Sequence, residues 1–522
     1  MKRINWLNII FSFILSLSIN YKLVINRGLN YFINDFHLNY KFIINNIILS
    51  IIIYFILLIV FKILDNIKIK DKLFVIDKQK KLVIFFLIFI STFIFLLTYY
   101  PGVYLNDTYY MIYSPIYSSN GHPLFYSLFI SILFFTFKIY FSSSFSIFCL
   151  PLLQSIFSSI ILTYIVCWFN KKIKNKTLTL LLIIYFVFMP IVSNYNMALN
   201  KDGPYSLMFL LFLTLYYEII DSKGSILSNK KFMFKLIIIS LLMTYIRNNG
   251  VYVIFLTMIS TLFVLGKKYI KNIICFLLIL LCLSYIPTFI SKSNGVKYLK
   301  REKYGIPIQQ ISYLVKYRPD SLNESDYELL DKIIINSKDT INNKYNVYKV
   351  DNIKFDSNFD DDQFNKYEKE FFLLWLNKLP SNFNSYVKSY LLNNYHLWAI
   401  DKLEKKQSIF RELSISGVKE EHQINNRRVL PKNIYNFLIN YYEVFNTYLN
   451  PALCFIILLL FNIYSLNKNK KMFYFSIPLI ITWLILMIAS PLSSALRYMA
   501  IYIYALPIII FFILKETRYK YE

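Results

Sequence analysis

Long apolar segments alternate with short polar, lysine-rich segments along most of the chain. The hydrocarbon core of a bilayer is about 30 Å thick and needs roughly 20 apolar residues per helix. On this measure the pattern predicts transmembrane helices over residues 6–24, 42–63, 82–99, 147–169, 178–195, 205–220, 233–247, 250–266, 273–290, 446–465, 472–490 and 496–514. The chain is therefore predicted to be an all-α polytopic membrane protein with about twelve transmembrane helices.

Two further stretches break this alternation. Residues 124–141 form a thirteenth apolar run, and we expect it to lie at the outer membrane surface, because a crossing there would move the basic segment 171–174 outside. Residues 291–440 are polar with apolar positions at helical spacing, which predicts a mostly helical extracytoplasmic domain. The predicted organisation is a transmembrane bundle over 1–290 with an outer loop at 100–146, then the domain at 291–440, then C-terminal transmembrane helices over 441–522.

The composition excludes a water-soluble protein. Of the 522 residues 57% are apolar, and the mean hydropathy is +0.46. The net charge is +27, but lysine and arginine concentrate in alternate loops, the distribution that retains loops in the cytoplasm. This bias predicts that both termini are cytoplasmic and accounts for most of the charge. Membrane lipid is therefore an expected partner, and nucleic acid is not.

The loop after the third predicted span offers a single acid. Asp107 is the only carboxylate between Asp77 and Asp202. With Asn106 before it, Asp107 suits the N-terminus of a short helix, where its side chain would accept from backbone N–H groups. A solitary carboxylate just above the bilayer also suits a general base. The two interpretations are compatible.

Two more outer loops carry candidate binding residues. His122, at the start of the thirteenth apolar run, suits contact with a phosphate or an acceptor, or simple solvation. Lys201 and Asp202 lie between the fifth and sixth spans. Asp202 is predicted to cap the sixth span, and the N-terminal N–H groups of that helix beside Lys201 predict an anion site. The alternative is a simple cap beside a lysine that reaches the membrane surface.

The remaining candidates come from later segments. Arg247 and Asn248 stand between two short apolar segments and predict an inward-facing polar cluster. Arg497, followed by Tyr498, opens the last span and suits either bidentate phosphate binding or anchoring at the membrane surface. The predicted outer domain adds three candidates for substrate binding: Gln309, Gln310 and His396.

The order of these features resembles the GT-C superfamily of polytopic glycosyltransferases. The segments PGVYLND, NGHPLFYSL, LNKDG, YIRNNG, YGIPIQQISYLV and LRYMAIYIYALP, between about residues 82 and 510, look like those of an uncharacterised bacterial membrane family with GT-C features. Enzymes of this superfamily take sugars from polyprenyl-phosphate carriers, and their first outer loop carries an acidic residue. The resemblance implies that Asp107 is the catalytic acidic residue and that Lys201, Asp202, Arg247 and Arg497 line the site.

The resemblance implies a glycosyltransferase of the bacterial inner membrane. It would move a sugar from a polyprenyl-phosphate donor to a glycan, lipid or protein acceptor on the outer face. Because a single displacement needs only one carboxylate, we expect inversion at the anomeric carbon. A divalent cation, Mg²⁺ or Mn²⁺, is left open as a cofactor, although Asn106 stands where many GT-C enzymes carry a second acid. One alternative is a flippase or transporter of lipid-linked sugars, which would carry charges near the bilayer midplane. The other is a polymerase or ligase of surface glycans with a diphosphate-linked donor.

Overall fold

The computed structural model describes residues 6–67, 69, 74–103, 106–117, 121–296, 299–401, 429–489 and 496–517. In these residues the regular structure is helical, apart from two isolated β-bridges. The first half of the chain contains α1 (Trp6–Arg27), α2 (Tyr40–Asn66), α3 (Lys78–Thr98), α4 (Asn106–Tyr113), α5 (Leu124–Tyr140), α6 (Ser143–Ile173), α7 (Lys176–Phe188), α8 (Pro190–Met197), α9 (Asp202–Asp221), α10 (Lys230–Ile246), α11 (Gly250–Leu265) and α12 (Ile270–Ser293).

The second half contains a run of short helices and then a return to long ones. The short helices are α13 (Gly305–Tyr317), α14 (Glu324–Ile333), α15 (Ser337–Lys344), α16 (Asp351–Lys354), α17 (Asp361–Lys366), α18 (Glu368–Lys378), α19 (Phe383–Asn393) and α20 (Tyr395–Trp398). The last four are α21 (Lys432–Tyr448), α22 (Pro451–Leu466), α23 (Lys470–Ala489) and α24 (Ala500–Glu516).

Among the described residues, eight helices are long and apolar enough to cross a bilayer. They are α1, α2, α3, α6, α9, α12, α23 and α24 with the turn before it. Two bent pairs, α7 with α8 and α21 with α22, meet the same criterion when each pair is taken as one span, and they bend by 59° and 60°. By length and composition the chain is thus a helical, multi-pass membrane protein, and its described residues contain eight to ten candidate spans.

The expected number of twelve spans is not confirmed. The segments predicted over 233–247 and 250–266 are α10 and α11, with 17 and 16 residues. At 1.5 Å per residue each extends about 25 Å, less than the hydrocarbon core of a bilayer. Because these two helices are consecutive, the direction of every later helix is the same whether both cross or neither does.

Asparagine and aspartate side chains mark where the apolar helices begin. Asp77 caps α3, Asn175 caps α7, Asn229 caps α10 and Asn450 caps α22, each by accepting from a backbone N–H in the first turn. These residues are poor in helix interiors because their side chains compete for backbone groups. The asparagine and aspartate residues between the apolar runs therefore set where these helices begin.

Helices α9 and α24 form the centre of the bundle. Within their spans 83% and 72% of the residues are buried, against 22% in α2 and in α12. The two helices pack against each other, and both also contact α6 and α23. The start of α9 lies beside the turn before α24, since Arg497 Nε is 3.9 Å from Asp202 Oδ2.

Helices α13–α20 form a separate core, which we call the helical domain. Its core includes Phe32 and Ile33, from the short π-helix after α1. The domain contacts the bundle where α22 begins and α23 ends, because Asn450 donates to the Ala399 carbonyl over 2.9 Å and Trp483 donates to the Leu397 carbonyl over 3.1 Å. We call this the domain end of the bundle, and α24 also begins there.

Helices α5 and α21 lie against the bundle. The 17-residue α5 is apolar and packs on α4, α6 and α10. Its expected position at the membrane surface stays a prediction. In α21 the Tyr441 hydroxyl donates to the Phe188 carbonyl, at the bend between α7 and α8. The segment predicted as one span over 446–465 is therefore divided, with its first residues in α21.

Candidate functional site

The start of α9 is held by its neighbours. The side-chain oxygen of Asn200 accepts from the backbone N–H of Asp202 at 3.0 Å and of Gly203 at 3.2 Å. Gly203 has no room for a side chain, because a Cβ there would lie 2.0 Å from the carbonyl oxygen of Tyr195. From α6, the Gln154 amide donates to the carbonyl of Tyr195 and to two carbonyls that follow it. The first turn of α9 is therefore fixed against α6 and α8.

Asp202 and Arg247 form a buried ion pair. Arg247 Nη1 lies 2.9 Å from Asp202 Oδ1, and the two side chains are 9% and 1% exposed. The guanidinium also faces the rings of Tyr205 and Tyr498, with Cζ 5.5 and 4.6 Å from the ring centroids. Since Arg247 follows the last residue of α10, the pair joins the end of α10 to the start of α9.

Arg497 connects this buried pair to Asp107. Its Nη1 lies 3.4 Å from Asp107 Oδ2, and its Nε lies 3.9 Å from Asp202 Oδ2. Its Nη2 donates to the Tyr498 hydroxyl over 3.1 Å. The side chains of Asp107 and Arg497 are 30% and 26% exposed. The accessible side of the arrangement is therefore at the Asp107–Arg497 pair.

Lys201 adds a further cation to this arrangement and lies beside His122. Lys201 Nζ donates to the Gly121 carbonyl over 3.1 Å and lies 3.3 Å from His122 Nδ1. Burial and the charge of Lys201 lower the pKa of His122 to about 4. The imidazole is therefore neutral at pH 7, and its Nδ1 accepts from the ammonium group. Burial lowers the pKa of Lys201 to about 8, despite the opposing effect of nearby carboxylates.

Asp107 is ionised at neutral pH. Burial would raise its pKa, but the charges of Arg497 and Lys201 outweigh this and hold the pKa below the ordinary value. The next residue fixes α4, since the Thr108 hydroxyl donates to the Leu199 carbonyl just before α9. A carboxylate that can accept a proton thus lies beside cations that can hold an anion. We call Asp107, Lys201, Asp202, Arg247, Arg497 and Tyr498 the site cluster.

The sequence comparison places this site in a family. Residues 49–522 match a family of unknown function, DUF6020. The chain belongs to the DUF6020 family. No curated protein and no solved structure matches the chain significantly. The DUF6020 match includes the whole site cluster, whereas α1 and the first residues of α2 precede it.

The expected N-cap role of Asp202 is wrong. Asn200 caps the helix, and Asp202 is the first helical residue of α9. The carboxylate of Asp202 pairs instead with Arg247. Either residue has a suitable side chain for capping. The choice depends on an arginine 45 positions later in the chain.

The backbone at the start of α9 does not form the expected anion site. Asn200 already accepts from the first two N–H groups, and Pro204 has no N–H. The N–H of Tyr205 donates to the Lys201 carbonyl. An anion bound at the start of α9 would therefore be held by side chains and not by backbone N–H groups.

Several candidate residues have their contacts elsewhere. Gln309 donates to the carbonyls of Asn346 and Val347, and Gln310 bonds the Tyr386 carbonyl and the Trp375 indole, all within the helical domain. Three more candidates also lie outside the site cluster. His396 is buried in α20, Asn248 is exposed between α10 and α11, and Asn106 begins α4.

The described residues do not fit a divalent cation. No group of three or more His, Cys, Asp or Glu side chains comes together among them as a metal site. Both carboxylates of the site cluster instead face arginines, at 3.4 Å for Asp107 and 2.9 Å for Asp202. Since a metal ion would compete with these guanidinium groups, we assign no step to a cation.

Sequence reasoning missed three residues that shape the site. Asn200 caps α9, Tyr205 faces Arg247, and Tyr195 lies against Gly203. Asn200 carries a signal, because asparagine is among the preferred capping residues and accepts here from the N–H groups two and three positions later. The tyrosines carry none, because 45 tyrosines are spread along the chain and their pairing depends on tertiary packing.

Proposed function

We propose that this protein is a glycosyltransferase that uses a polyprenyl-monophosphate sugar on the outer face of the membrane. The observation that carries the proposal is the position of Arg497, shared between the partly exposed Asp107 and the buried Asp202. The arrangement supplies a base and a phosphate-binding cation side by side, at one end of α9 and α24, the two most buried of the eight long candidate spans. These are the groups that sugar transfer from a phosphate requires.

The proposed step is a single displacement. An acceptor hydroxyl oxygen bonds to the anomeric carbon as the bond from that carbon to the phosphate oxygen breaks. The hydroxyl proton goes to Asp107, and the electron pair of the broken bond stays with the phosphate. One displacement inverts the anomeric configuration. A positioned base of this kind contributes about 10²- to 10⁴-fold to the rate.

The cations divide into binding and positioning groups. Arg497 and Lys201 lie on the accessible side and would hold the departing phosphate, where charge stabilisation in a partly dehydrated site is effective. Arg247 is engaged by Asp202 and two tyrosine rings, so it is a positioning residue. A phosphate that draws Arg497 away from Asp107 would also make that carboxylate a stronger base.

An apolar groove beside α24 supports a lipid-linked donor. It has a volume of about 520 Å³ and lies between α7, α21, α22 and α24. Its wall on α24 begins at Tyr502, five residues after Arg497, or roughly 8 Å at helical rise. A prenyl chain in this groove would bring its phosphate close to Arg497.

The test is release of the carrier by the purified protein in nanodiscs. Undecaprenyl phosphate bearing labelled glucose, galactose, mannose or N-acetylglucosamine is incubated with a membrane fraction from cells that lack the protein, as the acceptor source. We expect one donor to yield free undecaprenyl phosphate and labelled acceptor, with inverted configuration by NMR. A flippase would leave every donor intact, and a retained configuration would contradict the single displacement.

A further inference from the structure

Three buried polar atoms, one within the site cluster and two next to it, lack a hydrogen-bond partner in the part of the chain that the structure describes. They are the Tyr195 hydroxyl, Asn200 Nδ2 and Asp202 Oδ2, and all three side chains are buried. Unpaired buried polar atoms are costly, and native proteins keep few of them. Three at one place indicate a group that completes their hydrogen bonding.

The three side chains share one location. Asn200 caps the helix turn that begins with Asp202, and the backbone of Tyr195 abuts Gly203, the next residue along. The Tyr195 hydroxyl interacts electrostatically with Tyr442 most strongly, and also with Asp202 and Arg497. Arg497 Nε lies 3.9 Å from the unpaired Asp202 oxygen, so this location is directly behind the accessible Asp107–Arg497 pair.

The donors and acceptors match one kind of ligand group. Tyr195 and Asn200 each offer a donor, and Asp202 offers an acceptor. A hydroxyl group accepts two hydrogen bonds and donates one, so its donors and acceptors match the three atoms in number. A phosphate would meet the negative charge of Asp202, and a metal cation would meet two arginines.

We propose that Tyr195, Asn200 and Asp202 form a hydroxyl-binding subsite that receives one hydroxyl of the donor sugar. This inference rests on the proposed function and assigns sugar recognition to residues other than those that would hold the phosphate. A resident water molecule is the competing occupant, since it accepts two hydrogen bonds and donates two. The sugar is favoured because the subsite lies beside Arg497, where the phosphate would be held.

The test compares Tyr195→Phe with Tyr386→Phe in the full-length protein. Tyr386 is the matched control because its hydroxyl donates to the Trp375 carbonyl over 2.9 Å inside the helical domain. Tyr195→Phe removes an unpaired hydroxyl, so its thermal unfolding midpoint should equal or exceed that of the wild type. Tyr386→Phe removes a bonded hydroxyl and should lower the midpoint, with donor binding unchanged.

Binding is measured with undecaprenyl phosphate, with the four hexose-bearing forms, and with monodeoxy versions of the tightest binder. We expect the wild type to prefer a hexose-bearing carrier to the bare one and Tyr195→Phe to weaken that preference about 3- to 10-fold, as for one hydrogen bond. One monodeoxy donor should bind both proteins equally, which identifies the sugar hydroxyl concerned.

Three outcomes would overturn the proposal. They are an unchanged preference in Tyr195→Phe, no preference for sugar in the wild type, or equal weakening of every carrier including the bare one. The last would assign the subsite to water. Sugar-dependent binding through Tyr195 without any transfer would contradict the proposed reaction and leave the subsite intact. Sugar transfer by the wild type, with no effect of Tyr195→Phe on binding, would support the proposed reaction and contradict the subsite.

Discussion

The Arg497 guanidinium lies 3.4 Å from the Asp107 carboxylate, although 390 positions separate the two residues in the chain. They meet because the helix after α3 and the turn before α24 both lie at the domain end of the bundle, around the start of α9. The pair is the accessible edge of a cluster whose other members are buried. Substitution of a buried charged residue should therefore lower stability, whereas substitution of an accessible one should lower activity.

Loss of the buried ion pair should destabilise the fold. Asp202→Asn leaves the Arg247 guanidinium buried without its counter-charge, which typically costs about 3–5 kcal/mol. We expect a clearly lower thermal unfolding midpoint and a smaller folded yield in detergent. Asp77→Asn is the control: its exposed pair with Lys80 is weak, and asparagine still caps α3. Equal midpoints for the two variants would contradict the assigned role of the pair.

A methyl group at position 203 should disrupt the start of α9. In Gly203→Ala the added Cβ would lie 2.0 Å from the Tyr195 carbonyl oxygen, so backbone must move. We expect loss of folded protein by size-exclusion chromatography. Gly28→Ala meets nothing closer than 3.7 Å and should behave as wild type. Normal recovery of Gly203→Ala would show that α8 and α9 can separate enough to admit a methyl group between position 203 and the Tyr195 carbonyl.

Removal of the Gln154 amide should weaken the end of α8. Gln154→Leu keeps the size of the side chain but leaves the Tyr195 carbonyl, bonded at 3.2 Å, without this donor. Buried polar groups left unpaired cost about 1–3 kcal/mol each. The thermal midpoint should fall, whereas Gln79→Leu, at an exposed position in α3, should leave it unchanged. A fall in both variants would point to a general effect of leucine.

The activity should depend on the protonation of Lys201. Its pKa of about 8 lies below the ordinary lysine value, so the ammonium loses its proton as pH rises through 8. The ability to hold phosphate should then decline, and kcat/KM should fall above pH 8. Arginine stays charged, so Lys201→Arg should move that fall to higher pH. An unchanged alkaline limb in Lys201→Arg would exclude Lys201 as the titrating group.

Hydropathy and charge identified most long helices and the residues that form the cluster, because membrane spans and ionisable groups at their ends have strong local signatures. The bend at Met189, between α7 and α8, was not predictable in the same way. An apolar run does not reveal where packing divides it. The partner of Asp202 was hidden as well, because Arg247 is adjacent only after α9 and α10 have packed together.

The rate of transfer by Asp107→Asn tests the central claim most directly. The amide keeps the shape of the side chain but cannot take the acceptor proton. With the donor that the wild type uses, we predict a rate lower by about 10²- to 10⁴-fold, with a wild-type unfolding midpoint and with full activity in the exposed control Asp320→Asn. A correctly folded Asp107→Asn protein that transfers sugar at the wild-type rate would contradict the account.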